Sequence, residues 1–230
     1  MKLRTRTYSG STSSEVTARE TINRQLSRKA AAEGVVLLKN EGVLPVASDV
    51  PIAIYGNGIA QIIKGGTGSG DVNSRNVVSM LDGLKDAGYT IVNETSARKY
   101  MEDYERAGKE WGAEVLKRID SLSAGSTMEF FGVLSKTPKE EVKEIAVVPE
   151  DVKQAKAVVY IISRIAGEGR DRVTKAGDYY LTETEEEQIA EIRKYNQNII
   201  LIINTGAQID LTAMQKDTAV KGILYLSQPG

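Results

Sequence analysis

The sequence has 230 residues, of which 41% are hydrophobic and 27% are charged, enough for a packed core and a polar surface. With 30 basic against 31 acidic residues it carries no net charge that would attract nucleic acid or an anionic membrane, and no apolar run approaches the ~18 residues that span a bilayer. It has no cysteine and no histidine, which excludes disulfides, thiolate nucleophiles, Ser-His-Asp triads and His or Cys metal sites, and leaves acid–base chemistry to carboxylates, lysine or tyrosine.

The first residues are polar and basic and lack the apolar segment of a secretory signal. We expect residues 1–16 to form a flexible arm, and a cytoplasmic location fits a chain without cysteine, although such a chain could also be extracellular. We expect no metal, no cofactor, no nucleic-acid partner and no membrane partner.

The chain then alternates between helix and strand signals. Thr17 and Glu20 have the spacing of a capping box and predict a helix over residues 17–33. Short strands are predicted over residues 35–40 and 52–55, the second of which ends in a Gly-Asn-Gly turn.

After a glycine-rich stretch, Asn73 is positioned to cap a helix whose apolar stripe includes Val77 and Val78. Gly88 is expected to end that helix, and residues 89–92 read as another strand.

A longer helix is predicted to begin at Thr95 or Ser96 and to carry Trp111 on its inner face. Residues 128–132, which contain both phenylalanines, are expected to pack against the sheet, the alternative being that they line a cleft. The Thr-Pro-Lys-Glu sequence at 137–140 predicts a short capped helix.

The C-terminal half holds the strongest strand signals. Residues 157–163, 198–204 and 222–226 are almost entirely β-branched or apolar, as in parallel strands buried on both faces. Between the first two, Thr182 predicts a capped helix whose acidic first turns, residues 183–187, favour capping and solubility. The alternation predicts an α/β fold, a three-layer α/β/α sandwich with a mostly parallel sheet.

Glu168 lies between two glycines just past the first buried strand, where open α/β sheets usually bind ligands. It is our candidate general acid, with a pKa raised by partial burial. The alternative is a surface loop in which the charges only pair. Asp171 and Arg172 are expected to brace that loop rather than touch substrate.

The stretch KGGTGSGD, residues 64–71, has four glycines in eight residues and predicts a loop whose backbone closely approaches another molecule. A nucleotide site is disfavoured, because Lys64 precedes the glycines whereas a phosphate-binding loop has its lysine after them.

Taken together, these motifs resemble a known family. AAEGVVLLKNEGVLPV (residues 31–46), KGGTGSGD and GEGRDR (167–172), in this order, are similar to the α/β-sandwich domain of glycoside hydrolase family 3, closest to its β-glucosidase branch. The resemblance covers most of residues 17–230, which we treat as that domain, and only residues 95–150 carry no family signature.

The resemblance implies a retaining two-carboxylate mechanism that acts on a β-linked glucoside or oligosaccharide. Glu168 would be the general acid/base, and the nucleophile would be an aspartate on a separate (β/α)₈ barrel domain that this chain lacks. The glycine-rich loop would bind substrate through Ser69, with Gly68 and Lys64 in the same loop.

The chain stops just after a buried strand, so we expect a truncated piece of a longer enzyme that hydrolyses nothing appreciable alone. Its partner would be the barrel domain of the same enzyme, and a homo-oligomer is possible. The alternative is a non-catalytic carbohydrate-binding or assembly module.

Overall fold

The computed structural model describes residues 13–66, 74–122, 127–166 and 172–229. The chain divides into two compact units, Met1–Glu33 and Gly34–Gly230. Helix α1 (Ala18–Gly34) begins with the predicted capping box. The Thr17 amide donates to Glu20 Oε2 at 2.8 Å, and the Glu20 amide donates to Thr17 Oγ1 at 3.2 Å.

Within the part of the chain that the structure describes, a six-stranded sheet forms the centre of the second unit, with the strand order β1-β6-β5-β4-β2-β3. Strand β1 pairs antiparallel with β6, and the other neighbours are parallel. The strands are β1 (Val36–Asn40), β2 (Pro51–Tyr55), β3 (Thr90–Ile91), β4 (Ala157–Arg164), β5 (Ile199–Thr205) and β6 (Val220–Tyr225).

Strands β4 and β5 form the centre of the core. Every residue of both strands is buried. Their β-branched side chains fit a pleated surface that is covered on both faces, which is why the sequence pattern located them correctly.

Helices cover both faces of the sheet. They are α2 (Met80–Asp86), α3 (Glu94–Asp120), α4 (Thr127–Lys136), α5 (Pro149–Gln154), α6 (Glu183–Ile192) and α7 (Thr212–Lys216). The chain moves from β2 outward to β3 and then back across to β4, β5 and β6. Each of these parallel connections contains at least one helix: α2 between β2 and β3, α3 to α5 between β3 and β4, α6 between β4 and β5, and α7 between β5 and β6. The predicted α/β sandwich with a mostly parallel sheet is confirmed.

Helix α2 begins later than predicted. Asn73 lies outside the described residues, and Val77 and Val78 precede the helix with exposed side chains instead of forming its inner stripe. The cap is Ser79, whose Oγ accepts a hydrogen bond from the Asp82 amide at 3.0 Å. The helix starts at the first side chain that satisfies its free amides.

Gly88 ends α2 as predicted. Its φ of +94° is a left-handed conformation that glycine adopts without strain. The Tyr89 amide donates to the Leu84 carbonyl at 3.1 Å, which closes the helix end.

Two expectations for residues 128–140 are wrong. Phe130 and Phe131 lie on α4 with exposed side chains instead of packing against the sheet. Thr137 does not open a helix, because its Oγ1 donates to the Val133 carbonyl at 2.7 Å and its own carbonyl accepts from Trp111 Nε1 at 3.1 Å. Thr137 therefore closes α4, and the chain runs without regular structure to α5.

A close approach between two strands follows β2. A Cβ atom at Gly56 would lie 2.3 Å from the Ile161 carbonyl oxygen, and its φ of +92° is strained for any other residue. A Cβ at Gly58 would lie 2.2 Å from Ile161 Cγ2. Both glycines are required because the chain after β2 lies directly against β4.

We predict that Gly56→Ala lowers the free energy of unfolding by about 2–4 kcal/mol, because backbone must move and a left-handed φ must be held by alanine. Urea unfolding followed by circular dichroism measures the loss. The control is Gly112→Ala on α3, where a Cβ meets nothing within 4 Å, and stability should rise by up to about 1 kcal/mol. Equal stability of Gly56→Ala and the parent would contradict the close approach.

Candidate active site at the carboxyl edge of the sheet

The chain reverses its direction of travel across the sheet between β2 and β4. In open α/β sheets, the crevice outside the carboxyl ends of the strands at such a point is the usual ligand site. The glycine-rich loop follows β2, and the Glu168 loop follows β4. Of the candidate site residues, Gly68, Ser69, Glu168 and Asp171 lie outside the described residues, whereas Lys64 and Arg172 lie within them.

Asn57 joins the carboxyl ends of β2 and β4. Its Nδ2 donates to the Ser163 carbonyl at 3.0 Å, and the Ser163 amide donates to Asn57 Oδ1 at 2.8 Å. One amide side chain thus replaces the ladder hydrogen bonds that the two strands lose as they separate. The pair fixes the width of the crevice at its base.

Asn204, fully buried near the end of β5, holds the start of the glycine-rich loop. Its Oδ1 accepts from the Ile63 amide at 2.7 Å, and its Nδ2 donates to the carbonyls of Ile63 and Ser227, both at 2.8 Å. Gln228 Nε2 donates to the Gly65 carbonyl at 3.3 Å. The backbone on the N-terminal side of residues 67–73 is therefore fixed to the sheet.

Lys64 is partly buried beside this backbone. Its Nζ donates to Ser74 Oγ at 3.2 Å, which links the two sides of the glycine-rich loop.

Arg172 holds the C-terminal side of the Glu168 loop. Its guanidinium pairs with the Asp178 carboxylate and donates to the Asp178 carbonyl at 2.8 Å, the Gln208 carbonyl at 3.2 Å and Thr205 Oγ1 at 3.1 Å. Thr205 directly follows Asn204. The two candidate loops are thus connected to neighbouring residues of β5.

Arg164, the last residue of β4, forms a buried ion pair with Glu185 of α6. Arg164 is 7% exposed and Glu185 1% exposed, and Arg164 Nη2 lies 2.5 Å from Glu185 Oε2. The same carboxylate accepts from the Thr182 amide at 2.8 Å, which completes the predicted capping box. From the acidic run we expected Glu185 to favour solubility. Instead it is a buried partner of Arg164.

Glu144 is a second carboxyl group near this pair, and no motif marks it in the sequence. It precedes α5 in a charged stretch that resembles an ordinary solvated surface. Burial, together with the negative charge of Glu185, raises its pKa to about 7 against a smaller opposing effect of Arg164. A carboxyl group that titrates near neutral pH can hold or release a proton under working conditions.

Two open clefts lie along this edge. One, of about 550 Å³, is lined by Ser163, Arg164, Arg172 and Asp178, and the other, of about 630 Å³, by Tyr100, Tyr104 and Gln188. Both are also lined by Asn57, Gln61 and Glu144, so they are two parts of one groove, which we call the edge groove.

Among the described residues, no acidic cluster could hold a metal ion. In the same part of the chain, no helix is both long enough and apolar enough to cross a membrane.

The fold is an α/β sandwich with a crevice at the carboxyl edge of its sheet, and comparison with known proteins identifies its family. The sequence-family model of the glycosyl hydrolase family 3 C-terminal domain matches residues 35–230. The chain therefore belongs to glycosyl hydrolase family 3 and contains its C-terminal domain, as the motifs predicted.

Individual relatives agree. The sequence is 28% identical over 90% of its length to beta-glucosidase A of Butyrivibrio fibrisolvens and 30% identical over 86% to a beta-glucosidase of Ruminococcus albus. Beta-glucosidase 3B of Thermotoga neapolitana, solved in complex with alpha-D-glucose, superposes with a TM-score of 0.68 at 29% identity over 92% of this chain. The chain spans only 25%, 19% and 28% of these three proteins, respectively.

We predict that Glu144→Gln stabilises the protein more at pH 8 than at pH 5. The carboxyl is neutral in the fold up to a pKa of about 7 but ionises in the unfolded chain near 4.5, so the parent loses stability as pH rises through this window. The difference should reach at most about 3 kcal/mol above pH 7. Urea unfolding at both pH values measures it, with Glu141→Gln, an exposed neighbour, as control. If the difference in unfolding free energy between Glu144→Gln and the parent were the same at both pH values, the raised pKa and the burial of Glu144 would be refuted.

We further predict that Arg164→Met costs about 3–5 kcal/mol of unfolding free energy, because it leaves the Glu185 carboxylate buried without its partner. The double variant Arg164→Met, Glu185→Leu removes both charges and should lose less than the single variant. Denaturant unfolding of both proteins compares them. A double variant less stable than Arg164→Met would show that Glu185 acts mainly through its capping bonds.

Proposed function

We propose that this chain is the acid/base-bearing domain of a retaining β-glucosidase, with Glu168 as the proton donor to the leaving oxygen. The nucleophile would be a carboxylate on a (β/α)₈ barrel domain of the same enzyme. Family membership and the beta-glucosidases among the relatives support this assignment.

The observation that carries the proposal is that residues beside both candidate loops are hydrogen-bonded to the same strand, β5. Ile63, just before the glycine-rich loop, is bonded to Asn204, and Arg172, just after the Glu168 loop, is bonded to Thr205. Two loops fixed to successive residues of one buried strand keep a constant spacing at their bases. This arrangement favours a shared task in which Ser69, Gly68 and Lys64 bind the sugar while Glu168 protonates the departing group.

The chemistry requires a second domain. A retaining pair of carboxyl groups stands ~5–5.5 Å apart across the glycosidic bond. Glu168 alone could protonate an oxygen, but no carboxylate would trap the oxocarbenium-like centre on the other side of the sugar ring. We therefore expect the isolated chain to be inactive and the barrel to be its principal partner. The cytoplasmic location and a possible homo-oligomer stay predictions.

We predict that Glu168→Ala, made in the enzyme that joins this domain to its barrel, lowers kcat/KM for cellobiose by about 10²–10⁴-fold. With an activated aryl glucoside, whose leaving group needs no proton, the rate of the glycosylation step should fall far less. Steady-state kinetics on both substrates provides the comparison.

Glu183→Ala is the matched control, since Glu183 is exposed in the first turn of α6, and it should retain the parent rates on both substrates. Equal small losses on the two substrates in Glu168→Ala would exclude the role of general acid.

A further inference from the structure

The residues that follow β6 lie against the carboxyl end of β5. The Leu226 amide donates to the Ile203 carbonyl at 2.8 Å, and the Ser227 carbonyl accepts from Asn204 Nδ2 at 2.8 Å. We call Leu226, Ser227 and Gln228 the exit segment. These bonds fix its backbone to the same strand that holds the bases of both candidate loops.

Ser227 has a backbone conformation that is unfavourable for serine. Its φ is +61°, and it is the only non-glycine residue with a positive φ in the part of the chain that the structure describes. Such a conformation persists only where surrounding contacts determine it, and it often marks a functional position. One of these contacts is the hydrogen bond from the fully buried Asn204.

The side-chain amide of Gln228 lies against Gly206, the residue after β5. A Cβ atom at position 206 would lie 2.6 Å from both Gln228 Cδ and Oε1 and 2.8 Å from Nε2. Cβ atoms do not come this close to other atoms, so only glycine admits the amide in this place. The φ of Gly206 is not positive, so the contact with Gln228, and not the backbone angle, accounts for a glycine here.

The same amide contacts the start of the glycine-rich loop. Gln228 Nε2 donates to the Gly65 carbonyl at 3.3 Å. Two residues earlier, Asn204 binds both the amide and the carbonyl of Ile63. The backbone that enters the loop is therefore attached at two places, to β5 through Asn204 and to the exit segment through Gln228.

A glycine-rich chain depends on contacts of this kind. Gly65 and Gly66 have no side chains that could pack, and glycine has the largest backbone freedom of any residue. Hydrogen bonds to the backbone from other parts of the fold must therefore select its path. The bond from Gln228 is long and joins two neutral groups, so its loss should change the function of the loop only several-fold.

We propose that Gln228 is a positioning residue: its amide, seated on Gly206 and bonded to the Gly65 carbonyl, sets the path by which the chain enters the glycine-rich loop. This role rests on the proposed function, in which that loop binds the sugar. Gln228 then affects the binding of the glucosyl unit, which all substrates of the enzyme share. It has no part in protonating the leaving group.

The first test needs no activity. In the 230-residue chain, Gln228→Ala should shift the carbonyl ¹³C resonance of Gly65, measured by triple-resonance NMR, because that carbonyl loses its donor. Gln228→Met keeps the length of the side chain without the donor and should shift the resonance as well. The matched control is Gln154→Ala, an exposed glutamine at the end of α5. An unchanged Gly65 resonance in Gln228→Ala would overturn the proposal.

Gly206→Ala disturbs the same contact from the other side. Its Cβ meets only the flexible end of the Gln228 side chain, so we expect the amide to move away from Gly65 while the fold is kept. The double variant Gly206→Ala, Gln228→Ala should give the same Gly65 shift as Gln228→Ala alone, because both changes remove one contact. A double variant in which the two single shifts add would contradict the seat on Gly206.

Steady-state kinetics provides the second test, in the enzyme that joins this domain to its barrel. Gln228→Ala should raise KM about three- to tenfold for both cellobiose and the aryl glucoside, with kcat changed by less than about twofold. A raised KM in Gln228→Ala beside unchanged rates in Glu168→Ala would refute only the acid role of Glu168. An unchanged KM in Gln228→Ala, or a loss confined to cellobiose, would overturn the positioning role.

Discussion

Side-chain amides hold the carboxyl edge of this sheet together, and the rest of the site depends on them. Parallel strands diverge at their ends and leave backbone groups unpaired there. Asn57 restores two hydrogen bonds between β2 and β4, and Asn204 restores three between β5 and the chain around it. Asn204 is fully buried and Asn57 partly buried, and amides removed from water are costly unless paired, so each favours a single arrangement of the backbone. The crevice therefore has a defined width before any ligand enters.

Much of the fold could be predicted from the sequence because its signals are local. The apolar runs of β4 and β5, the capping box at Thr182 and the left-handed glycine at position 88 each depend on a few neighbouring residues. Predictions were wrong where two elements compete for one residue. Thr137 has the sequence of a cap, but α4 and Trp111 take its hydrogen-bonding groups.

The candidate site was predictable only where motifs mark it. Glu168 was assigned from its position between two glycines after a buried strand as well as from the family motifs, and Ser69 from the motifs; both remain predictions. Glu185 and Glu144 were missed for a physical reason. Glu185 pairs with Arg164, 21 positions away, and Glu144 is affected by both of these distant residues, whereas a run of acidic residues looks the same whether it faces solvent or a buried guanidinium. The pattern of charges along a sequence does not show how deeply each residue is buried in the fold.

The attachment of both candidate loops to successive residues of β5 has a consequence for motion. If the sandwich tilts against a neighbouring domain, the bases of the two loops travel as one rigid body, since both are bonded to β5, at Asn204 and Thr205. Sugar recognition and proton delivery would then be switched on or off simultaneously. In an enzyme built this way, a change of the interdomain angle would lower turnover with little change in selectivity.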